Sequence, residues 1–377
     1  MKICILCNQQ GNNLNSDYIL KFGKLLESVG VNVIVIADTE HYAFKKAQEI
    51  ELSIIPVETS DGGLTFKSTY SLNKALKKEA PDALIVCQKE NISAAAFLKK
   101  SALPKNAKLV YLQTEIFSKE VSGFWSGLKD SIWSSKLIKQ IDLWITPLAI
   151  NLMFNKENLP VEESKMTYLF PSIHLDNFLD TDALKVELQI PEGETLIGII
   201  EGVEENANAS VLIETIDRLH KDGCMVNGMI LLAEKGRYSA KRLALYQQVI
   251  DLKLEDHIEI FSSDQLTEQQ FIHISDILLL PEMSVFKSLE AFAAGTLLIV
   301  SKCAASEKLI EKGDLGLFSN FEAQQLSDAI KEYMDDVLMA DILSEKGKGQ
   351  IDKSGGETVF VRKFLDLLAG KNRFLQN

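Results

Sequence analysis

The sequence predicts an α/β protein of two tandem Rossmann-like domains, each a doubly wound parallel sheet, facing a cleft. Short, uniformly apolar runs recur along the chain, helical patterns separate them, and the whole series repeats after a polar connection rich in proline. Strands covered by helices on both faces read as continuous apolar runs, whereas a half-exposed sheet would alternate. A length of 377 residues has room for two domains of ~150 residues, and a hydrophobic content of 46% is enough for two cores.

The first series of expected strands lies at 2–7, 31–37, 83–87, 108–112 and 143–146. The second lies at 196–200, 227–233, 257–261, 276–280 and 297–301, with helices such as 209–221 and 240–252 between strands. Pro160, Pro171, Asp180, Pro191 and Gly193 punctuate the connection, since proline and glycine interrupt regular structure. This places one domain at 1–175 and the other at 176–356. After the polar segment Ile351–Gly356, a helix over 357–371 carries an apolar stripe of Val359, Phe360, Phe364, Leu367 and Leu368 that needs a surface to cover, and it is assigned to the first domain.

With 40 Lys+Arg against 53 Asp+Glu the net charge is −13. Such a field repels phosphate polymers and argues against a nucleic-acid partner. Cys4, Cys7, Cys87, Cys224 and Cys303 show no paired spacing of a secreted framework and read as buried thiols. Met1 leads directly into a strand too short for a signal peptide, and no long uncharged apolar run follows, so a cytoplasmic protein is expected. The aromatic and basic stretch 124–139 reads either as a helix packed on its sheet or as one lying on an anionic membrane at the inner face.

Residues 277–300 read strand, short loop, helix, glycine, strand, with Glu282 and Glu290 eight apart and Leu289-Glu290-Ala291-Phe292-Ala293-Ala294-Gly295-Thr296 closing the helix. This segment resembles the donor-sugar segment of GT-B glycosyltransferases of the large family-4 (group 1) type. Further segments agree in order: Asp142–Thr146, Phe170–Phe178, Ile197–Ile200, Leu212–Ile216, Leu254–Phe261 and Gly313–Phe318. The first 110 residues match only in pattern.

The resemblance implies a nucleotide-diphosphate sugar as donor, a glycan, lipid-linked or small acceptor, and a retaining reaction needing neither cofactor nor metal. The first domain would take the acceptor and the second the donor. In that reading Glu282 lies near the transferred sugar as the catalytic group, Glu290 accepts hydrogen bonds from ribose hydroxyls, and the helix beginning near Ser284 offers backbone amides to the diphosphate. Gly11 and Asn12, in an amide-rich loop, and Gln113 would meet the acceptor.

The family's diphosphate-binding arginine and lysine fall on Gly202 and Ala207, so both cations are absent, and the donor loop is shorter than the family's. Lys235, Lys287, Arg237 and Lys302 stand in segments from which a replacement cation would come, or they are solvated surface groups. Removing one preorganised donor costs ~3–4 kcal/mol in a transition state. A second reading follows: a pseudo-glycosyltransferase without turnover, serving as the partner subunit of another protein or as a glycan-binding module. Glu290 and Glu282 also admit the plain reading of solvated carboxylates. His41, His220, His257 and His273 lack metal-ligand spacing and receive no role, and His174 is read as a surface group.

Overall fold

The computed structural model describes residues 1–7, 14–60, 63–114, 136–147, 149–159, 161–169, 171, 179–190, 193–201, 208–232, 240–282, 284–310, 314–353 and 356–371. The chain divides into two compact units: Met1–Gln10, Asn15–Ser172 and Ser354–Asn377 form one, and Gly11–Leu14 with Ile173–Lys353 form the other.

The first unit runs β1 (Lys2–Leu6), α1 (Leu14–Ser28), β2 (Asn32–Asp38), α2 (Tyr42–Glu49) and β3 (Ser53–Val57). A small hairpin, β4 (Thr59–Ser60) and β5 (Gly63–Leu64), precedes α3 (Phe66–Glu79) and β6 (Ala83–Val86). There follow α4 (Ile92–Ser101), β7 (Lys108–Leu112), β8 (Leu143–Thr146), α5 (Ala149–Asn158) and β9 (Met166–Tyr168). The seven-stranded sheet has the order β3-β2-β1-β6-β7-β8-β9, parallel throughout, with Ile5 of β1 opposite Val35 on one side and Ile85 on the other. Ile3, Ile5, Val33, Ile85 and Val110 are fully buried, as a sheet sandwiched between helices requires. Two strands, β3 and β9, have no counterpart among the expected apolar runs. Both are edge strands, and β3 contains Pro56, which lacks an N–H and is tolerated only where a ladder can spare one.

The second unit runs α6 (Thr181–Glu187), β10 (Thr195–Glu201), α7 (Asn208–Lys221), β11 (Val226–Leu232), α8 (Ala240–Asp251), β12 (Ile258–Ser262), α9 (Glu268–Ile274) and β13 (Ile277–Leu280). It continues through α10 (Val285–Ala294), β14 (Leu297–Val300), α11 (Ala304–Leu309), β15 (Leu317–Phe318), α12 (Ala323–Asp335) and α13 (Val337–Lys353). Its six-stranded parallel sheet has the order β12-β11-β10-β13-β14-β15. The core packs Ile197, Ile199, Ile230 and Leu279 against Leu212, Ile216 and Ile330 from the covering helices. Here too the short edge strand β15 escapes the sequence pattern.

The final helix, α14 (Gly356–Leu368), belongs to the first unit. Its Phe360 and Phe364 meet Phe22 of α1 edge-on, with ring centroids 5.3 and 4.8 Å apart, the geometry that aromatic quadrupoles favour. The expectation of five buried thiols is corrected at Cys303, which is exposed at the start of α11, and Cys224 is half-buried. Among the described residues no helix is long and apolar enough to cross a membrane, and no group of three or more His, Cys, Asp or Glu could hold a metal ion.

Candidate functional site

In the second sheet the strand order reverses between β10 and β13. Doubly wound sheets bind ligands beyond the carboxyl ends of the strands at such a switch point. Glu201 is the last residue of β10, and Pro281 and Glu282 follow directly on β13. Ser284 caps α10, its hydroxyl accepting the Lys287 amide at 3.4 Å. The helix stops at Gly295, whose φ of 78° is left-handed and costs glycine little. The chain can then turn back at once into β14.

Packing on the other side of β10 builds the frame for Glu290. A Cβ at Gly198 would lie 2.7 Å from the Phe271 ring, so only glycine lets α9 approach β10 this closely. Thr296, just beyond α10, donates its hydroxyl to the Ile272 and Ser275 carbonyls at 2.9 and 3.1 Å, which ties the turn after α10 to the end of α9. The two helices are therefore held together at fixed separation. On α10, Glu290 is 4% exposed, and its Oε1 accepts the Gln269 amide and meets His273 Nε2, both at 2.7 Å. No bond from a described residue falls on its Oε2. Gln269 and His273 are four apart on α9, one helical turn, and so share a face.

Glu201 presents a different balance. It is 2% exposed, and its Oε2 accepts the Ala209 amide in the first turn of α7 at 3.0 Å. Its Oε1 is ion-paired with Lys241 Nζ of α8 at 3.4 Å, a long contact, and receives no well-formed hydrogen bond from the described residues. Burial pushes the Glu201 carboxyl above the usual carboxylate range; Lys241 and the Ala209 amide pull it back, and the negative charge of Glu282 pushes it further up.

Glu282 is exposed beyond β13. Lys287 is ion-paired with Glu268 of α9 at 3.1 Å, and Lys302 pairs with Glu307 at 3.5 Å. Gln113, after β7, is buried, and its side-chain oxygen accepts from Trp144 Nε1 at 3.1 Å and Asn155 Nδ2 at 2.9 Å. Gly11, Asn12, Gly202, Ala207, Lys235, Arg237 and His174 lie outside the described residues, as does the stretch 124–139 up to residue 135.

The fold thus brings Glu201, Lys241 and Glu282 together, and places Glu290 against Gln269 and His273 in the same unit. Four residues that matter here have no functional assignment from the sequence: Glu201, His273, Gln269 and Lys241. A helical spacing of four between Gln269 and His273 was the one available signal, and it gains meaning only once α9 lies against α10.

Two parallel Rossmann-like sheets with these strand orders define the fold as that of the GT-B glycosyltransferases. Residues 180–350 match the family "Glycosyl transferases group 1". Solved structures agree over nearly the whole chain. A glycosyltransferase from Rickettsia africae ESF-5 has a TM-score of 0.76 at 14% identity, covering 99% of this chain and 99% of that one. HepE from Anabaena in complex with UDP-glucose has a TM-score of 0.80 at 14% identity, covering 98% and 100%. Sucrose-phosphate synthase from Thermosynechococcus elongatus has a TM-score of 0.75 at 12% identity, covering 98% of each chain. No curated protein matches the chain in sequence.

Proposed function

We propose that the protein is a glycosyltransferase that takes a sugar from a nucleotide-diphosphate donor held by the second unit and passes it, with retention, to a glycan, lipid-linked or small acceptor. The observation that carries this is Glu290. Both internal donors converge on its Oε1, so the carboxylate is fixed in orientation while Oε2 stays available to a hydroxyl pair such as that of a ribose. A carboxylate bonded by fixed donors is preorganised and loses little freedom when a ligand arrives. The family match over the second unit and the UDP-glucose carried by HepE support a nucleotide-sugar donor. Glu282, exposed at the end of β13, is the group proposed to face the transferred sugar.

Isothermal titration with UDP, GDP, ADP and their glucose conjugates tests the proposal. At least one nucleotide should bind, and its 2′-deoxy analogue should bind more weakly; absence of all binding at millimolar ligand removes it.

One observation favours a second reading, binding without turnover. The switch point carries two acids, Glu201 and Glu282, against one cation, Lys241, among the described residues that flank it. A departing diphosphate needs positive potential. Release of UDP from UDP-glucose in single-turnover conditions separates the readings: a bound donor that stays intact over hours assigns the chain to the non-catalytic class.

A further inference from the structure

The first turn of a helix with free amides is where an incoming phosphate ordinarily binds. In α7, a helix of 14 residues, that place is already filled by the chain's own carboxylate. Glu201 reaches from the end of β10 to the Ala209 amide and is 98% removed from solvent. A second feature is independent of the helix end. Glu201 Oε1 is buried and, among the described residues, has only the 3.4 Å ion pair with Lys241 Nζ and no well-formed hydrogen bond. Buried carboxylate oxygens rarely lack a well-formed hydrogen bond, because an ion pair alone returns only part of the hydration given up on burial. The arrangement is that of an anion held in place but not saturated. Glu282, just beyond the strand across the switch point, adds a second negative charge that works against it.

We propose that Glu201 is an internal anion masking a diphosphate-binding position made by the Ala209 amide and Lys241, and that a diphosphate-bearing ligand binds by displacing the Glu201 side chain from both. This deepens, and rests on, the nucleotide-sugar reading of the second unit. It accounts for how a chain with Gly202 and Ala207 in place of the family's two cations retains a cation for this ligand. The lysine is present and is held by an acid until a stronger anion arrives. A diphosphate has more charge and more acceptor oxygens than one carboxylate, so the exchange favours the ligand.

The test uses the full-length chain and two probes, inorganic pyrophosphate and UDP, by isothermal titration. Glu201→Gln keeps a side-chain oxygen for the Ala209 amide but removes the charge, and it should bind pyrophosphate about tenfold more tightly than wild type, equal to about 1.4 kcal/mol. Adding Lys241→Met to that variant should abolish the gain. Glu201→Ala, which removes the carboxylate altogether, should shift affinity in the same direction, and circular dichroism establishes that each variant is folded. Unchanged or weaker pyrophosphate binding in folded Glu201→Gln or Glu201→Ala overturns the masked site, whatever nucleotides do. UDP binding no tighter than pyrophosphate in Glu201→Gln removes the nucleotide reading and leaves the masked site standing.

Discussion

Glu290 and Glu201 are buried to nearly the same degree, 4% and 2% exposed, and both belong to the second unit, yet their surroundings differ in kind. Glu290 lies in the interior of a helix and receives two donors from one face of a neighbouring helix, both directed at a single oxygen. Glu201 ends a strand and divides its oxygens between a backbone amide at 3.0 Å and a lysine at the longer distance of 3.4 Å. The first carboxylate has one oxygen firmly held, and the second is under tension between burial and its partners. Burial alone therefore does not define a carboxylate's role; the account of its two oxygens does.

The sharpest way to break this contrast is Glu290→Ala, which strands the Gln269 amide and His273 Nε2. Both groups are half-buried, so at the low end of the about 1–3 kcal/mol for a group left unpaired, the loss should come to about 2 kcal/mol in urea denaturation. A loss below 1 kcal/mol would mean that α9 and α10 do not depend on Glu290. Next is Gly198→Val, which forces α9 off β10 and should cost about 1–3 kcal/mol by overpacking. It should also weaken nucleotide binding, because the donors to Glu290 move with α9.

A pH series examines Glu201 itself. Its folded pKa is raised, so between the ordinary glutamate value of 4.5 and that higher folded value the folded state holds the proton more firmly than the unfolded state. Stability from this source is greatest at low pH and is lost as pH rises through the window. The melting temperature of wild type relative to Glu201→Gln should therefore fall from pH 4.5 towards neutrality. A flat difference across that range removes the tension assigned to Glu201. The smallest effect concerns thiols: Cys303 should react first with a thiol reagent under native conditions. Cys4, whose thiol burial pushes up to about 12, should wait for unfolding.

Much of the fold was legible because its central strands are apolar on both faces, and the runs at 2–7 and 196–200 became β1 and β10 with shifts of a residue or so. The edges were not legible. In β3, Ser53 and Pro56 are exposed, and β15 has two residues, too few for any pattern. For the site, Glu290 stood out through its local motif, which needs no tertiary information. His273 lay outside that motif, and a reading confined to metal-ligand spacing had no means of revealing its hydrogen-bonding role. Lys241 was one basic residue among 40, and only the meeting of α8 with the end of β10 distinguishes it. Glu201 stands near Glu204 and Glu205 in the sequence, and nothing local sets it apart from them; its capping of α7 depended on where that helix begins.

Helix α14 sets the timing of assembly. Phe22 and Phe364, both essentially without solvent contact, come from opposite ends of the chain but share one unit. During synthesis the ribosome delivers every element of the second unit before it releases the last helix of the first. The amino-terminal unit is thus completed only after the second unit has been made, and until then the face of α1 that carries Phe22 lacks its partner helix.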